Sequence, residues 1–287
     1  IKRNRGSLSL KSNIIARKNM HRNHLYCKEF IDKSKYVYNW MKKQPSVGEE
    51  SITDWLLFAL SESLTSLKYK TFSRHKEARE TGADWEWWFV DDKKALCLRI
   101  QAKKLFASKD NYNSLAYTNK YGLQIEKLID NAKTKNALPF YTFYYSSPCN
   151  PKVLCAGTTW NKKDCGIFIS PAKQLYNDFI IHGKKKVTDS DILTLSNPLH
   201  CLVCCTNATS VDEVYRHISM YYKESITEEE GLHDSAPNYV LFLLNQKESE
   251  EIPELYEKEF EQQINDLNNL IVIDLRENYN KTLERNS

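Results

Sequence analysis

Two periods of hydrophobic and polar alternation run along this chain, and the change from one to the other organises it. Between residues 17 and 43, Met20, His24, Cys27, Phe30, Ile31, Val37, Trp40 and Met41 recur at helical spacing among Lys and Arg, which predicts one or two basic helices. The segment from Pro45 to Gly48 breaks that pattern. Glu49 and Glu50, acids that suit the positive end of a helix dipole, open a second helix with Ile52, Leu56, Leu60, Leu64 and Leu67 on one face. From residue 69 the period falls to two, and strands are predicted over 69–76, 83–90 and 95–103. Gly82 precedes the second of these, and the polar run Asp91-Asp92-Lys93-Lys94 separates the second from the third. A helix over 117–135 and a strand over 140–145 follow. The order helix, three strands, helix, strand implies an α/β fold with a mixed sheet flanked by helices.

Beyond Pro148 the pattern predicts a strand over 166–169, a helix over 172–182 stopped by Gly183, and an apolar strand over 199–205. It continues with a helix over 210–221, a strand over 239–244, an acidic helix over 253–267 and a last strand over 270–275. The chain is expected to divide into a basic helical extension over 1–47, a core over 48–190 and a C-terminal α/β lobe over 191–287.

Residues 81–104 carry the most information. Read as an antiparallel hairpin turning at Asp92 and Lys93, they place Asp84 opposite Gln101 and Glu86 opposite Arg99. Lys103 projects beside Gln101 on the same face. The other face receives Trp85, Trp87, Phe89, Leu96, Leu98, Ile100 and Ala102, which is core. The first face is therefore a sheet surface carrying an acid, an amide and an ammonium at one end, with Trp88 as its aromatic. Glu86 with Arg99 is expected as a structural cross-strand pair, which leaves Glu86 an assisting role at most.

Charge sharpens this picture. Residues 1–49 carry 12 Lys and Arg against 3 acids, and residues 224–287 carry 5 against 16. The core between them is basic, so a polyanionic partner such as nucleic acid is favoured, contacted by Lys104, Arg74, Lys162 and Lys163. An acidic tail docked on that basic surface would restrain it, and truncation after about residue 245 would then raise nucleic-acid affinity. At 41% hydrophobic and 12% aromatic residues the chain can offset ordering entropy and fold. It offers no apolar run long enough to span a bilayer, so no membrane partner and a cytoplasmic location are expected. Its eight cysteines are then expected to be reduced and mostly buried. Cys201 and Cys204, with Cys149, Cys155 and Cys165, have zinc-ligand spacing in part, against which stands the apolar setting of a buried strand.

An acid, an amide and a lysine so grouped suit phosphodiester hydrolysis. Asp84 and Gln101 offer hard oxygen ligands to Mg²⁺ or Mn²⁺, and a further carboxylate is available from Glu49 or Glu50, with Glu50 preferred. Lys103 is placed to orient a water or steady developing negative charge.

Asp84 followed by Gln101-Ala102-Lys103 on the next strand, with an acid on the preceding helix and the order αβββαβ, resembles the PD-(D/E)xK nuclease superfamily. The Gln at the third motif position is similar to that of Mrr-like restriction endonucleases. Residues 49–57, 81–88 and 101–105 also resemble an uncharacterised bacterial family assigned to that superfamily. The resemblance covers roughly residues 48–146 and implies a restriction-endonuclease-like core. It further implies a Mg²⁺-dependent endonuclease acting on DNA in preference to RNA, as an effector of bacterial anti-phage defence. A homodimer and a regulatory protein partner are compatible with it. Tyr121 and Gln124, three apart on one helix face, are similar to the Gln/Tyr pair that RecB-like members set beside substrate and metal, in a different order and spacing. The neutral Gln101 removes a charge that most of the superfamily keeps, and Ala83 stands where the family name has Pro. An inactive nucleic-acid- or partner-binding module on a degenerate nuclease core is therefore the second reading, and an RNA-directed nuclease the third.

Overall fold

The computed structural model describes residues 6–72, 82–106, 115, 118–119, 122–149, 165–184, 186–204, 210–222, 225–246 and 268–276, the side chains before Leu25 and of Asn119 excepted. The basic N-terminal region forms one continuous helix, α1 (Gly6–Lys43), followed by α2 (Glu49–Ser63). Strands β1 (Leu67–Thr71), β2 (Trp85–Val90) and β3 (Ala95–Lys104) come next. A two-residue pair, β4 (Thr118–Asn119) with β5 (Gly122–Leu123), then leads into α3 (Gln124–Thr134) and β6 (Leu138–Tyr144). Strand β7 (Ile167–Pro171) runs into α4 (Ala172–Leu175), which continues as a π-helical turn to Ile181. The remainder is α5 (Asp189–Thr194), β8 (Asn197–Pro198), α6 (Cys201–Cys204), α7 (Val211–Tyr222), β9 (Leu232–His233), α8 (Asn238–Asn245) and β10 (Asn269–Asp274).

The strands form one mixed sheet in the order β1-β10-β2-β3-β6-β7-β8, with β9 also paired to β3. The chain is thus an α/β protein with helices on both faces of its sheet. Trp85, Trp87, Phe89 and Ile100 meet α1, α2 and α7 through Phe30, Leu56 and Ile218. Trp88, Val90, Tyr141 and Phe143 meet α3, α4 and α8 through Leu128, Leu175 and Val240. Among the described residues no helix is long and apolar enough to cross a membrane.

The β2–β3 register is the one the sequence predicts: Trp85 faces Ile100 and Glu86 faces Arg99. The turn holds it, because the Asp91 carboxylate accepts from the backbone N–H groups of Lys93 and Lys94, both at 2.8 Å, while Asp91 N–H donates to the Lys94 carbonyl at 3.1 Å.

Several expectations are corrected. The face carrying Glu86 and Arg99 is interior and not a sheet surface, each residue being 1% exposed. Arg99 Nε donates to Glu86 Oε1 at 3.2 Å, Tyr239 donates to Glu86 Oε2 at 2.7 Å, and Arg99 also donates to Asn131. Those partners commit Glu86 to the fold, so it is not an assisting group in a site. Trp88 is buried as well and offers no base-stacking platform. Residues 239–244 are helical because the N-cap Pro237 offers its carbonyl to the Val240 and Leu241 N–H groups and Val240, Leu243 and Leu244 bury one face. The apolar run near 200 is a short β-bridge followed by one helical turn. Cys204 at the end of that turn is disulfide-bonded to Cys27 on α1, where reduced thiols are expected.

The C-terminal portion is not a lobe beside the sheet. Its last strand, β10, lies between β1 and β2, parallel to β2 and antiparallel to β1. The acidic helix expected over 253–267 lies outside the described residues.

Candidate active site

The β2–β3 ladder ends at one point, and the candidate residues gather there. Asp84 N–H donates to the Ile100 carbonyl at 2.8 Å, closing the last rung, and the Asp84 carbonyl accepts from the N–H groups of Asn268 and Asn269 at the start of β10. The chain before β2 thus leaves β3, whereas β3 continues to Lys104 with β6 on its other side. Along the edge so uncovered, the N–H groups of alternate residues point the same way. Two carboxylates take them. Asp84 Oδ2 accepts from Ala102 N at 2.8 Å, and Glu49 Oε1 accepts from Lys104 N at 2.7 Å. Positions two apart on a strand lie about 6.6 Å from one another, so the two acids stand side by side along β3.

Gln101 is buried between them and α3. Its Nε2 donates to Asp84 Oδ2 and, at 3.1 Å, to the Ala102 carbonyl, while its Oε1 accepts from Gln124 Nε2 at 2.9 Å. The Gln124 Oε1 atom is buried and has no hydrogen-bond donor among the described residues. Burial pushes the Asp84 carboxyl up to about 6, the Ala102 N–H and the Lys103 charge pull it down, and Glu49 and Glu50 add to the rise. Lys103, half-buried on the same face as Gln101, is therefore within electrostatic reach of Asp84.

A glycine makes the approach of α3 possible. Gly82 has φ +74°, and a Cβ there would stand 2.6 Å from the Gln124 carbonyl and 2.9 Å from the Leu128 nitrogen. Gly82→Ala is expected to cost about 2–4 kcal/mol, from a left-handed backbone and a clash with main chain that cannot yield. Urea unfolding of the variant checks this, and an unchanged midpoint would mean that α3 does not press on the turn before Asp84.

The structure joins Asp84, Gln101, Lys103 and Gln124, and it changes the choice among the acids. Glu50, preferred from the sequence, is exposed at the start of α2, and Glu49 is the one whose carboxylate reaches β3. Both sit in the first helical turn, where spacing alone does not say which turns inward. Gln101 presents its NH₂ to the carboxylate, so in this orientation its oxygen is not a ligand. Lys104 is not available to phosphates: its Nζ donates to the Pro45 and Val47 carbonyls and lies over the Phe106 ring. It fastens the α1–α2 connection instead. Tyr121, Arg74, Lys162 and Lys163 lie outside the described residues. Tyr141, opposite Gln101 on β6, has a buried hydroxyl with no partner among the described residues and feels the Asp84 charge. Its place in an apolar strand run gives no sequence signal of this.

A divalent ion fits the donor types present. Asp84, Glu49 and the Ala102 carbonyl are hard oxygens at one ladder end, and burial, with Glu49 and Glu50 nearby, raises the Asp84 carboxyl to about 6, a rise that a bound cation would oppose. Among the described residues no three His, Cys, Asp or Glu side chains form a metal-holding group, so a cation here would rely on the Ala102 carbonyl as well. For zinc, Cys204 has its sulfur in a disulfide, burial raises Cys149 and Cys165 to about 11 and about 12, and Cys155 lies outside the described residues.

A profile described as a family of unknown function (DUF6615) matches residues 26–279, most of the chain. No curated protein matches it.

Proposed function

The chain belongs to the DUF6615 family, and from the geometry of the ladder end we propose that it is a metal-dependent endonuclease hydrolysing phosphodiester bonds in DNA. The observation that carries this reading is the convergence of Asp84 with Gln101 and Lys103 of the adjacent strand where β2 leaves β3, with Glu49 alongside. The resemblance to the PD-(D/E)xK superfamily supports it. The insertion of β10 departs from a plain succession of three neighbouring strands, but it lies on the far side of β2 and leaves the β2–β3 pair intact.

In this reading Asp84 and Glu49 would hold Mg²⁺ or Mn²⁺ with help from the Ala102 carbonyl. The ion, when bound, neutralises charge on the scissile phosphate and makes a water a better nucleophile. Lys103 orients that water and offsets negative charge developing on the phosphoryl oxygens. Hydrogen bonds from Ala102 N–H and the Gln101 amide fix the Asp84 carboxylate, so little reorganisation is needed as the phosphate arrives. A role in anti-phage defence and a regulatory protein partner remain part of the proposal through the resemblance.

The test is cleavage of duplex DNA, single-stranded DNA and RNA side by side, with Mg²⁺ or Mn²⁺ and with chelator. Metal-dependent cutting of DNA is expected. Lys103→Ala should lower it by about 100-fold or more with an unchanged melting temperature. Salt-sensitive binding without cutting under any divalent ion would overturn the enzyme in favour of an inactive binding module, the reading favoured by the neutral Gln101. Cutting of RNA alone would move the substrate.

A further inference from the structure

The amide of Gln101 stands between the two oxygens that a cation would need. Its NH₂ donates to Asp84 Oδ2 and to the Ala102 carbonyl, while its oxygen faces Gln124 Nε2. On the far side of that contact Gln124 Oε1 is a buried acceptor that no donor reaches among the described residues. Resting on the metal-site reading above, we propose that Gln124 is a positioning residue, which sets the orientation of the Gln101 amide and through it the affinity of the ladder end for a divalent cation.

The argument is one of matching donors to acceptors. Without a cation, Asp84 Oδ2, which also takes the Ala102 N–H, and the Ala102 carbonyl each accept from the Gln101 NH₂. With a cation between them, that NH₂ is on the wrong side. A half-turn of the Gln101 amide brings its oxygen to the ion as a third hard ligand, but it also turns the NH₂ toward α3. There the NH₂ is buried, and a buried donor requires an acceptor. Gln124 can supply one by turning its own amide, since either end of a primary amide fits the same contact. The contact between the two amides can therefore be satisfied in two arrangements, donor toward Asp84 or oxygen toward Asp84, and Gln124 is what allows the second. Gly82 keeps Gln124 at this distance, because the helix start that carries it rests on that glycine.

Gln124→Leu removes the acceptor and adds no charge. It should leave stability close to that of the wild type, since the buried Gln124 oxygen without a donor is lost while the Gln101 oxygen loses the donor it had. The experiment is calorimetric titration of the full chain with Mn²⁺, and with Ca²⁺, accompanied by nuclear magnetic resonance of the Gln101 side-chain NH₂. For the wild-type chain, binding is expected with a shift of that resonance on cation addition. For Gln124→Leu, binding is expected to weaken by about 10-fold or more, without the shift and without loss of melting temperature. Gln124→Glu, which can only accept, should restore the affinity, with the Gln101 NH₂ resonance already displaced toward its cation-bound position before cation is added. Equal affinities for wild type and Gln124→Leu, both abolished by Asp84→Ala, would overturn the role of Gln124 and leave the metal site standing. Wild-type binding that Asp84→Ala does not change, or no wild-type binding, would overturn the site and this inference together.

Discussion

Ending the chain after Gln246 is expected to leave no folded protein. That cut removes β10, whose six residues are all buried. It is paired to β1 on one side, over residues 269–273, and along its whole length to β2 on the other. Leu270, Ile271, Val272 and Ile273 each contribute about 1.5–3 kcal/mol by burial, and together they approach the 5–15 kcal/mol of net stability that a domain has. The cut also strips Asp84 of the two backbone donors that hold its carbonyl, those of Asn268 and Asn269. Circular dichroism and gel filtration of the truncated chain should show loss of cooperative unfolding and aggregation. A soluble product with a sharp transition would mean that β1 and β2 can close on each other without the strand between them. This replaces the expectation, drawn from charge alone, that removing the acidic end raises nucleic-acid affinity. The acidic residues before Asn268 lead directly into a central strand, so a clean test of their charge is substitution and not deletion.

What the sequence made legible follows how local each signal is. The β2–β3 register could be read because alternation of period two and one polar turn fix it between partners 5 to 15 residues apart. Pairing of Asp84 with Gln101 followed from that register alone. The entry of β10 between β1 and β2 was not legible, since its partners are about 180 to 200 residues away and an apolar strand of six carries no address. The same ambiguity turned the run at Tyr239–Leu244 into a strand, although the Pro237 before it was the cue for a helix. Burial of Glu86 with Arg99 was hidden for another reason: alternation of polar residues marks a wet face unless the polar groups satisfy one another, and here the partners Tyr239 and Asn131 come from distant helices. Glu49 was passed over for Glu50 because the choice depends on how α2 is rotated against the end of β3.

Asp84→Asn is expected to make the protein more stable above pH 6 and to abolish cleavage. Burial holds the Asp84 carboxyl at about 6, above its ordinary value near 4. A group raised in this way favours the folded state when protonated. Its contribution is fully present below the unfolded value and is lost as pH rises through about 6. At pH 8 the ionised carboxylate therefore strains the site, by on the order of 1–2 kcal/mol once its partial exposure is allowed for. Asn keeps an oxygen to accept from Ala102 N–H and from the Gln101 amide, yet carries no charge, so it should remove that strain without opening the ladder end. Melting temperatures should then fall between pH 4 and 7 more steeply for the wild type than for the variant, with the variant higher at pH 8. Cleavage needs the charge that stability does not: a neutral amide is a poor ligand for Mg²⁺, and loss of about 1,000-fold or more is expected. In the wild type, cation binding should likewise weaken by about tenfold per pH unit below the value at which Asp84 protonates. A variant that cuts as well as the wild type would show that the Asp84 carboxylate serves only to cap the end of the β2–β3 ladder, and one that melts lower at pH 8 would show that its charge does not strain the site.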